Sequence, residues 1–549
     1  MALRIALAAA VLVAAGGAAA DAPRIHAITN ARIVTAPGQV IERGTIVLRD
    51  GLVEAVGPTV PVPPDATVIE AEEGWSVYPA FIDAASAVGL DAEAGGAPAG
   101  GERRAPEPKP LGSRHELKTV HPEDRALDRV DLAGASVARH REMGFAVAHV
   151  LPDKGVFRGE SALLLLRSGP AAEVVLRGQL GQVMALESSS FMARQYPSSK
   201  FGAVAAVRQV LLDGQRLAEW NRRYAANPAG MDPPGYRTSD APLLALLAGE
   251  RLPVFVSLNA LDPGRFRALA DEFGLKPVAV ARGLGDRPAD LLAARMPVLL
   301  PLDRPEKPAL DDADDLIEAS LQDLQQYLLA PKLPGALDAG GARVAFVTSG
   351  MKNPRAFQEN LAAVVKAGLP PDRALAALTT VPAGLLGVER SMGTLQPGKL
   401  ANLVVVQGDL FAAKPVFRHL FVAGFHEEIE PPKTVGNPSA TVDPRGTWEV
   451  SSQVMGRASE STWTITGKPG AYRGSSNSAR GGKRDFTSVE LAGDALTVTL
   501  PGGPGGESRI TVVVAGDRLA GDTTLTSEKG SVTMKVEGRR TSGPEESQQ

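Results

Sequence analysis

Histidine is the residue that metal chemistry in this chain would need most, and it is scarce. The 549 residues include seven histidines and no cysteine, which excludes thiolate ligands, disulfides and cysteine nucleophiles. The histidines are His26, His115, His121, His140, His149, His419 and His426. No two of them have a spacing that places both on one face of an element. We therefore predict packing or surface roles for them, with His149, inside an apolar strand-like run, as the exception.

Composition and charge restrict the classes of partner. The chain is 44% hydrophobic and 22% charged, values typical of a globular protein, and its length predicts several domains. A net charge of -4 and a pI near 6.1 leave no broad basic field. Such a field is what binding to nucleic acid or to an anionic membrane requires. Nucleic acid is therefore excluded as a predicted partner.

The first 20 residues have the pattern of a cleavable secretory signal. Arg4 precedes an apolar run from Ile5 to Ala15, and small residues continue to Ala20. This run is shorter than the roughly 20 apolar residues that cross a bilayer, and no longer run follows. We therefore predict a protein that is secreted through its N-terminal signal peptide (residues 1–20), is periplasmic and has no transmembrane segment.

The spacing of hydrophobic residues divides the next part of the chain into β-rich segments and an α/β segment. Short β-rich runs with turn signals occupy residues 24–78 and resume in residues 393–430. Between them, residues 79–392 alternate apolar strand-like runs, such as Phe145–Leu151, with helical segments in which apolar residues recur at spacings of three and four. This pattern predicts an α/β fold, a (β/α)8 TIM-like barrel.

The last part of the chain has a different pattern. Residues 431–446 form a predicted linker, and residues 447–540 contain strictly alternating runs such as Leu496, Val498 and Leu500. Glycine-aspartate pairs separate these runs, as expected for turns of hairpins. We predict an all-β C-terminal module, either a small up-and-down barrel or a sandwich.

Two motifs carry a resemblance to a known family. Tyr78–Leu90 (YPAFIDAASAVGL) closely resembles the segment that opens the barrel in imidazolonepropionase-like members of the amidohydrolase superfamily. Pro382–Val388 (PAGLLGV), followed by Gly393–Val406 (GTLQPGKLANLVVV), resembles the return from the barrel to the β-domain. The resemblance implies a composite β-sandwich domain made of residues 24–78 and 393–430. It also implies hydrolysis of carbon-nitrogen bonds with zinc or another divalent metal.

The chain departs from the family at the metal ligands. Two histidines separated by one residue end the first barrel strand in the family, and the matching positions here are Ala85 and Ala87. The family's metal-binding aspartate follows a threonine at the end of the last strand, where Ser349 follows Thr348. Alanine offers no lone pair, whereas a catalytic zinc takes about three protein ligands. We therefore predict a degenerate site with no metal and no other cofactor.

The remaining candidates are polar residues at predicted strand ends, because a barrel pocket forms there. They are Asp83, His149, Asn259, Arg282, Ser349 and Lys352. Arg158–Ser161 (RGES) also resembles a family loop near the barrel mouth.

Three functions remain open. The first is a metal-free binding protein, with a small amide or peptide ligand, or a partner subunit of an active amidohydrolase paralogue in a mixed oligomer. The second is a working hydrolase of carbon-nitrogen bonds, with another ligand set or with acid-base chemistry from Asp83 and His149. In the third, the C-terminal module binds a lipid, glycan or protein, and Trp448, Trp463 and Tyr472 either line its cavity or pack in its core.

Overall fold

The structure is a computed structural model of the full chain. It describes residues 25–90, 114–188, 196–282, 287–305, 320–351, 353–429, 442–454, 457–468, 471–478, 482–501, 507–527 and 530–543. The predicted signal peptide and Lys352 lie outside these residues. The chain forms two compact units, Met1–Pro431 and Pro432–Gln549. No helix in the described ranges is both long and apolar enough to cross a membrane.

The first unit begins with β-strands. They are β1 (His26–Ala36), β2 (Gln39–Arg49), β3 (Leu52–Gly57), β4 (Thr67–Glu70) and β5 (Trp75–Pro79). The turn between β2 and β3 contains Asp50 and Gly51, both with positive φ, as a tight hairpin needs. β1 pairs with β2 antiparallel and with β5 parallel. These strands form most of an eight-stranded sheet.

The middle of the chain is the α/β region. Its strands are β6 (Phe81–Ser86), β7 (Phe145–Val150), β8 (Phe157–Glu160), β9 (Ala162–Leu165), β10 (Val175–Arg177), β11 (Gly181–Ala185), β12 (Leu252–Ser257), β13 (Val278–Ala281), β14 (Val298–Pro301) and β15 (Val344–Val347). Its helices are α1 (Ala135–Glu142), α2 (Ala171–Val174), α3 (Lys200–Ala226), α4 (Asp240–Leu247), α5 (Asp262–Phe273), α6 (Pro288–Ala294), α7 (Leu321–Leu329), α8 (Leu333–Ala339), α9 (Phe357–Lys366), α10 (Pro371–Leu378) and α11 (Thr380–Leu385).

The strands of this region follow one another around a barrel. β6 pairs with β7, and β11 to β15 pair in sequence, all of them parallel. β8 and β9, separated only by Ser161, form one bent strand that is antiparallel to β11 on one side and to β7 on the other. Beyond β15, the amide of Ser349 donates to the carbonyl of Ala85 at 3.0 Å and joins the end of β15 to β6.

The fold prediction is therefore confirmed in part. The α/β barrel type and the additional β-domain are present, but the regular alternation of a (β/α)8 barrel is not. One barrel position is taken by the antiparallel β8–β9 strand, and no helix separates β7 from β8. The buried strands β7, β9 and β11 have no alternation of exposed residues, because both of their faces are covered.

The β-domain is completed after the barrel by β16 (Leu403–Gln407), β17 (Val416–Val422) and β18 (Phe425–Glu428). β16 pairs with β5 antiparallel, so the sheet has the order β18-β17-β16-β5-β1-β2-β3, with β4 on β1. The strand β5, which leads into β6, thus anchors the start of the barrel to strands from both ends of the unit.

The second unit is a closed antiparallel barrel. Its strands are β19 (Gly446–Val454), β20 (Arg457–Lys468), β21 (Ala471–Ser478), β22 (Gly482–Asp485), β23 (Ser488–Ala492), β24 (Ala495–Pro501), β25 (Glu507–Ala515), β26 (Arg518–Ser527) and β27 (Gly530–Ser542). Pairing of β20 with β21 and of β19 with β27 closes a ring of eight strands, and β22 is attached to β21. Of the two predicted forms, barrel and sandwich, the structure has the up-and-down barrel.

Candidate functional site

The positions that the motif resemblance matches to metal ligands lie at the carboxyl ends of β6 and β15. Ala85 is fully buried, and Ala87, two residues later, is exposed at the mouth. Ser349 is buried at the end of β15, and its amide donates to the carbonyl of Ala85 at 3.0 Å. We call this contact between β6 and the end of β15 the seam of the barrel. At this point of the barrel the chain therefore offers two methyl groups and one hydroxyl group.

A guanidinium group donates a hydrogen bond to that hydroxyl group. Arg282 follows β13, and its Nη2 donates to Ser349 Oγ at 2.7 Å. Gly350 makes this possible, because a Cβ atom at that position would clash with Nε of Arg282. Gly350 also has a φ of +81°, a backbone conformation that favours glycine. The side chain of Arg282 is thus held between the backbone of Gly350 and the hydroxyl of Ser349.

Arg158 supplies a second cation at the mouth. It is the second residue of β8 and is buried, with 5% of its surface exposed. Its Nη2 lies 3.0 Å from Oε2 of Glu187, which follows β11, and its Nε donates to the carbonyl of Gly155 at 3.3 Å. Because β8 runs antiparallel to β11, the start of β8 and the end of β11 lie at the same end of the barrel.

Arg158 affects the pKa of Arg282. Burial is the main cause that lowers the pKa of Arg282, and the positive charge of Arg158 lowers it further. The carboxylates of Asp153 and Glu187 oppose this effect. Nε of Arg282 is buried and has no hydrogen-bond partner among the described residues. The mouth therefore contains a partly desolvated cation that forms no ion pair with a carboxylate of the described residues.

This arrangement does not fit a divalent metal. In the part of the chain that the structure describes, no three His, Cys, Asp or Glu side chains are grouped to hold an ion. Ala85 and Ala87 provide no donor, and the oxygen of Ser349 already accepts from Arg282. A zinc site needs about three nitrogen, sulfur or oxygen ligands with free lone pairs.

Asp83, the first sequence candidate, lies behind the mouth in a buried network. Its Oδ1 accepts from the amides of Ala85 (3.3 Å) and Thr348 (3.2 Å). Its Oδ2 accepts from Thr348 Oγ1 at 2.5 Å. Asp83 has no exposed surface. Its carboxylate therefore ties β6 to the end of β15 across the seam of the barrel.

His140 belongs to the same network, although the sequence predicted only a packing or surface role for it. Its Nε2 lies 3.4 Å from Asp83 Oδ2, and Oγ1 of Thr348 and Oγ of Ser86 are at 3.2 and 3.3 Å. Its Nδ1 donates to the carbonyl of Ser136 at 3.0 Å. The buried residues of α1 include Ser136 and His140, four residues apart. That spacing was the available signal that His140 faces the barrel.

His149, the predicted exception among the histidines, is fully buried in β7. Its Nδ1 donates to the carbonyl of Ala84 at 2.8 Å, so its Nε2 accepts from Ser161 Oγ at 2.7 Å. Burial lowers its pKa to about 4, against smaller opposing effects from the Ala84 carbonyl and from Asp83. No hydrogen bond joins His149 to Asp83. The imidazole is a neutral link between β6, β7 and the β8–β9 bend.

The other sequence candidates have local roles or lie outside the described residues. Oδ1 of Asn259 accepts from the amide of Leu261 at 3.0 Å, which shapes the turn before α5. Within the RGES segment, Glu160 is buried and pairs with Arg251 at 2.8 Å. Lys352 is outside the described residues.

The aromatic residues of the second unit are core residues. Trp448 and Trp463 are buried in the hydrophobic cluster of the closed barrel, and Tyr472 packs against it. Trp448 Nε1 donates to the carbonyl of Pro444 at 2.9 Å, which satisfies its polar atom. The structure assigns these side chains to packing.

Comparisons with known proteins agree with this architecture. Residues 330–436 match the amidohydrolase family model. An amidohydrolase from Thermotoga maritima has 21% identity and a TM-score of 0.59, over 74% of this chain and 100% of that chain. A prolidase in complex with N-methylphosphonate-L-proline has 14% identity and a TM-score of 0.42, with the same coverages of 74% and 100%. No curated protein matches the chain.

Proposed function

We propose that this chain, an amidohydrolase-superfamily protein, acts as a metal-free binding protein or partner subunit. The superfamily resemblance predicted from the two motifs is confirmed by the match of residues 330–436 and by the shared fold. The observation that carries the proposal is the hydrogen bond from Arg282 to Ser349, at the end of the strand where the family has its metal-binding aspartate. In this proposal, the guanidinium takes the place that the motif resemblance assigns to the family's metal ion.

Electrostatics makes this cation incompatible with a metal at the same place. Two unit charges about 4 Å apart interact by about 4 kcal/mol at an effective dielectric constant of about 20, and a divalent ion doubles that repulsion. Burial lowers the pKa of Arg282, but an arginine side chain stays protonated at neutral pH in proteins. Zinc would meet this repulsion without ligands to offset it.

The same groups favour an anionic ligand. Guanidinium groups form paired, charge-assisted hydrogen bonds with carboxylates, and such bonds are about twice as strong as neutral ones. Arg282 has a buried Nε without a partner in the described structure, and Arg158 lies in the same electrostatic neighbourhood. A small amide or peptide with a free carboxylate suits this site. An active amidohydrolase paralogue that presents a carboxylate to the mouth is the corresponding protein partner.

Two measurements on the full chain test this proposal. Elemental analysis of the purified protein dialysed against zinc should give far less than one equivalent, and one bound zinc per chain would overturn the proposal. Titration with N-acetyl dipeptides should show binding that disappears when the C-terminal carboxylate is amidated. Arg282→Gln should weaken binding about tenfold or more, as expected for one charge-assisted hydrogen bond. Arg287→Gln, an exposed arginine paired with Asp290, is the matched control.

The alternative, a working hydrolase of carbon-nitrogen bonds, has less support. Metal-free acid-base catalysis would need Asp83 and His149 at a substrate. Both side chains are fully buried, and both nitrogens of His149 are engaged. Turnover of a cyclic amide or dipeptide that disappears in both Asp83→Asn and His149→Gln, with each variant folded, would favour this alternative.

Export is part of the proposal. The first 20 residues carry the signal pattern, so we expect the mature chain to begin at Asp21 and to be periplasmic. Mass spectrometry of the protein from a periplasmic extract tests this expectation. An intact N-terminus in the cytoplasmic fraction would contradict it.

A further inference from the structure

The opposite end of the barrel contains a cavity of about 390 Å³ where β12, β13 and β14 begin. Four cationic side chains line it, and no carboxylate does. They are Arg267, Lys276, Arg295 and Arg343. The remaining lining is apolar apart from a glycine, and includes Pro277 and Met296. The cavity therefore combines a cationic rim with an apolar floor.

The barrel topology brings these cations together. Lys276 stands two residues before β13, Arg295 three residues before β14, and Arg343 immediately before β15. The three strands are neighbours in the parallel sheet. Neighbouring strands are about 4.8 Å apart, so residues that precede them lie within about 10 Å of one another. Arg295 ends α6 in a left-handed conformation (φ 48°).

Three of these charges have no acidic partner among the residues that the structure describes. Arg267 pairs with Asp271 one turn later in α5, with Nε 2.9 Å from Oδ2. Lys276, Arg295 and Arg343 form no ion pair with any residue in the described ranges. The local balance is four positive charges against one negative charge. Like charges at this separation repel, and the repulsion is relieved when an anion binds between them.

We propose that this cavity binds a phosphate group, on a small molecule or on a lipid headgroup. Phosphate carries about two negative charges and several acceptor oxygens, which match a cluster of separate cations better than a single carboxylate does. The apolar floor can contact an organic group that carries the phosphate. This inference does not depend on the proposed function at the barrel mouth, since it uses other residues at the other end.

The test uses the full chain and two probes. Inorganic pyrophosphate, titrated calorimetrically at low ionic strength, should bind with one site per chain. The double variant Arg295→Gln/Arg343→Gln should weaken binding about tenfold or more. Lys366→Gln, an exposed lysine of α9, is the control and should bind as the natural chain does. Because both variants leave Arg282 in place, carboxylate binding at the mouth should be unchanged.

The second arm identifies the source of the phosphate. Vesicles of phosphatidylcholine with one quarter phosphatidylglycerol should bind the chain if a lipid headgroup is the ligand, and the double variant should then stay in solution. Binding of pyrophosphate without vesicle binding assigns the site to a small molecule. The proposal is overturned if neither probe binds, or if the double variant and Lys366→Gln bind both probes equally.

Discussion

Both ends of the α/β barrel have cationic side chains, but those at the mouth are buried or half-buried and bonded to other residues, whereas those at the opposite end are exposed. At the mouth, Arg158 is buried on Glu187, and Arg282 is held on Ser349. At the opposite end, Arg295 and Arg343 are exposed and form no ion pair in the described structure. Buried charges must be paired or hydrogen-bonded, whereas exposed charges are solvated and cost little. The cations at the mouth are therefore engaged in contacts of the fold, whereas those at the other end are exposed to solvent.

The largest expected effect concerns the network behind the mouth. Asp83→Ala removes the acceptor for two amides and for the hydroxyl of Thr348, all in a buried place. Removing one partner of a buried charged network costs about 3–5 kcal/mol. We expect this loss in the free energy of unfolding measured with urea. Asp83→Asn keeps Oδ1 as an acceptor, so its free energy of unfolding should decrease clearly less. Equal decreases for both variants would show that the carboxylate does not link β6 to the end of β15.

The second prediction concerns the stability of the fold at acidic pH. His149 has a pKa of about 4 in the folded chain, against about 6.5 in an unfolded one. As the pH falls from about 6.5 to about 4, the unfolded state takes up a proton that the folded state does not, so stability decreases. The loss is about 3 kcal/mol, complete below about pH 4.

Urea unfolding between pH 7 and pH 4 measures this loss. His149→Gln has no titrating ring, so the difference in slope between the two proteins isolates this residue from other titrating groups. Parallel slopes would contradict a neutral, buried His149. No imidazole is buried in this way at the opposite end of the barrel, so the test sharpens the contrast between the ends.

A smaller effect is expected at the glycine that holds Arg282. Gly350→Ala places a Cβ against the guanidinium, which must leave its rotamer. The clash should cost about 1–3 kcal/mol and weaken carboxylate binding at the mouth. Gly249→Ala is the matched control, because Gly249 has a φ of +77° and no atom within 4 Å of its added Cβ. If both variants lost the same stability and the same carboxylate binding, Gly350 would not be the residue that holds Arg282 in place.

The smallest effect is expected at the opposite end. Lys276→Gln removes an exposed cation that forms no ion pair within the described part of the chain, so the free energy of unfolding should change by less than about 0.5 kcal/mol. The corresponding change at the mouth, Arg158→Gln, removes a buried guanidinium that pairs with the partly exposed Glu187, and it should cost about 1–3 kcal/mol. Thermal unfolding of both variants compares them. A larger loss for Lys276→Gln would reverse the contrast between the two ends.

Much of the fold could be predicted from local patterns. The helical spacing of Phe357, Leu361 and Val364 indicated α9, and strict alternation at Leu496, Val498 and Leu500 indicated β24. The bend at Ser161 could not be predicted. A buried strand has the same apolar composition whether its neighbours run parallel or antiparallel, and direction is set by pairing with strands far along the chain.

That Ala85 and Ala87 stand at the family's ligand positions stays a prediction, and the contacts of the candidate site were not predicted. Sequence comparison within one motif found the absent donors at Ala85 and Ala87. The role of His140 was missed, because its neighbours Arg139 and Arg141 suggested a solvated helix face, whereas α1 presents it to Asp83. Lys352 stays a prediction.

The sequence by itself determined which chemical groups exist at the barrel mouth. A chain with alanines at positions 85 and 87 cannot offer imidazoles there, however it folds. Only the tertiary structure decided that Arg282 lies on Ser349, 67 residues away, and that Ser86 meets Thr348, 262 residues away. Covalent composition fixes which atoms can donate or accept, but closure of the barrel chooses which distant pairs come within hydrogen-bonding distance.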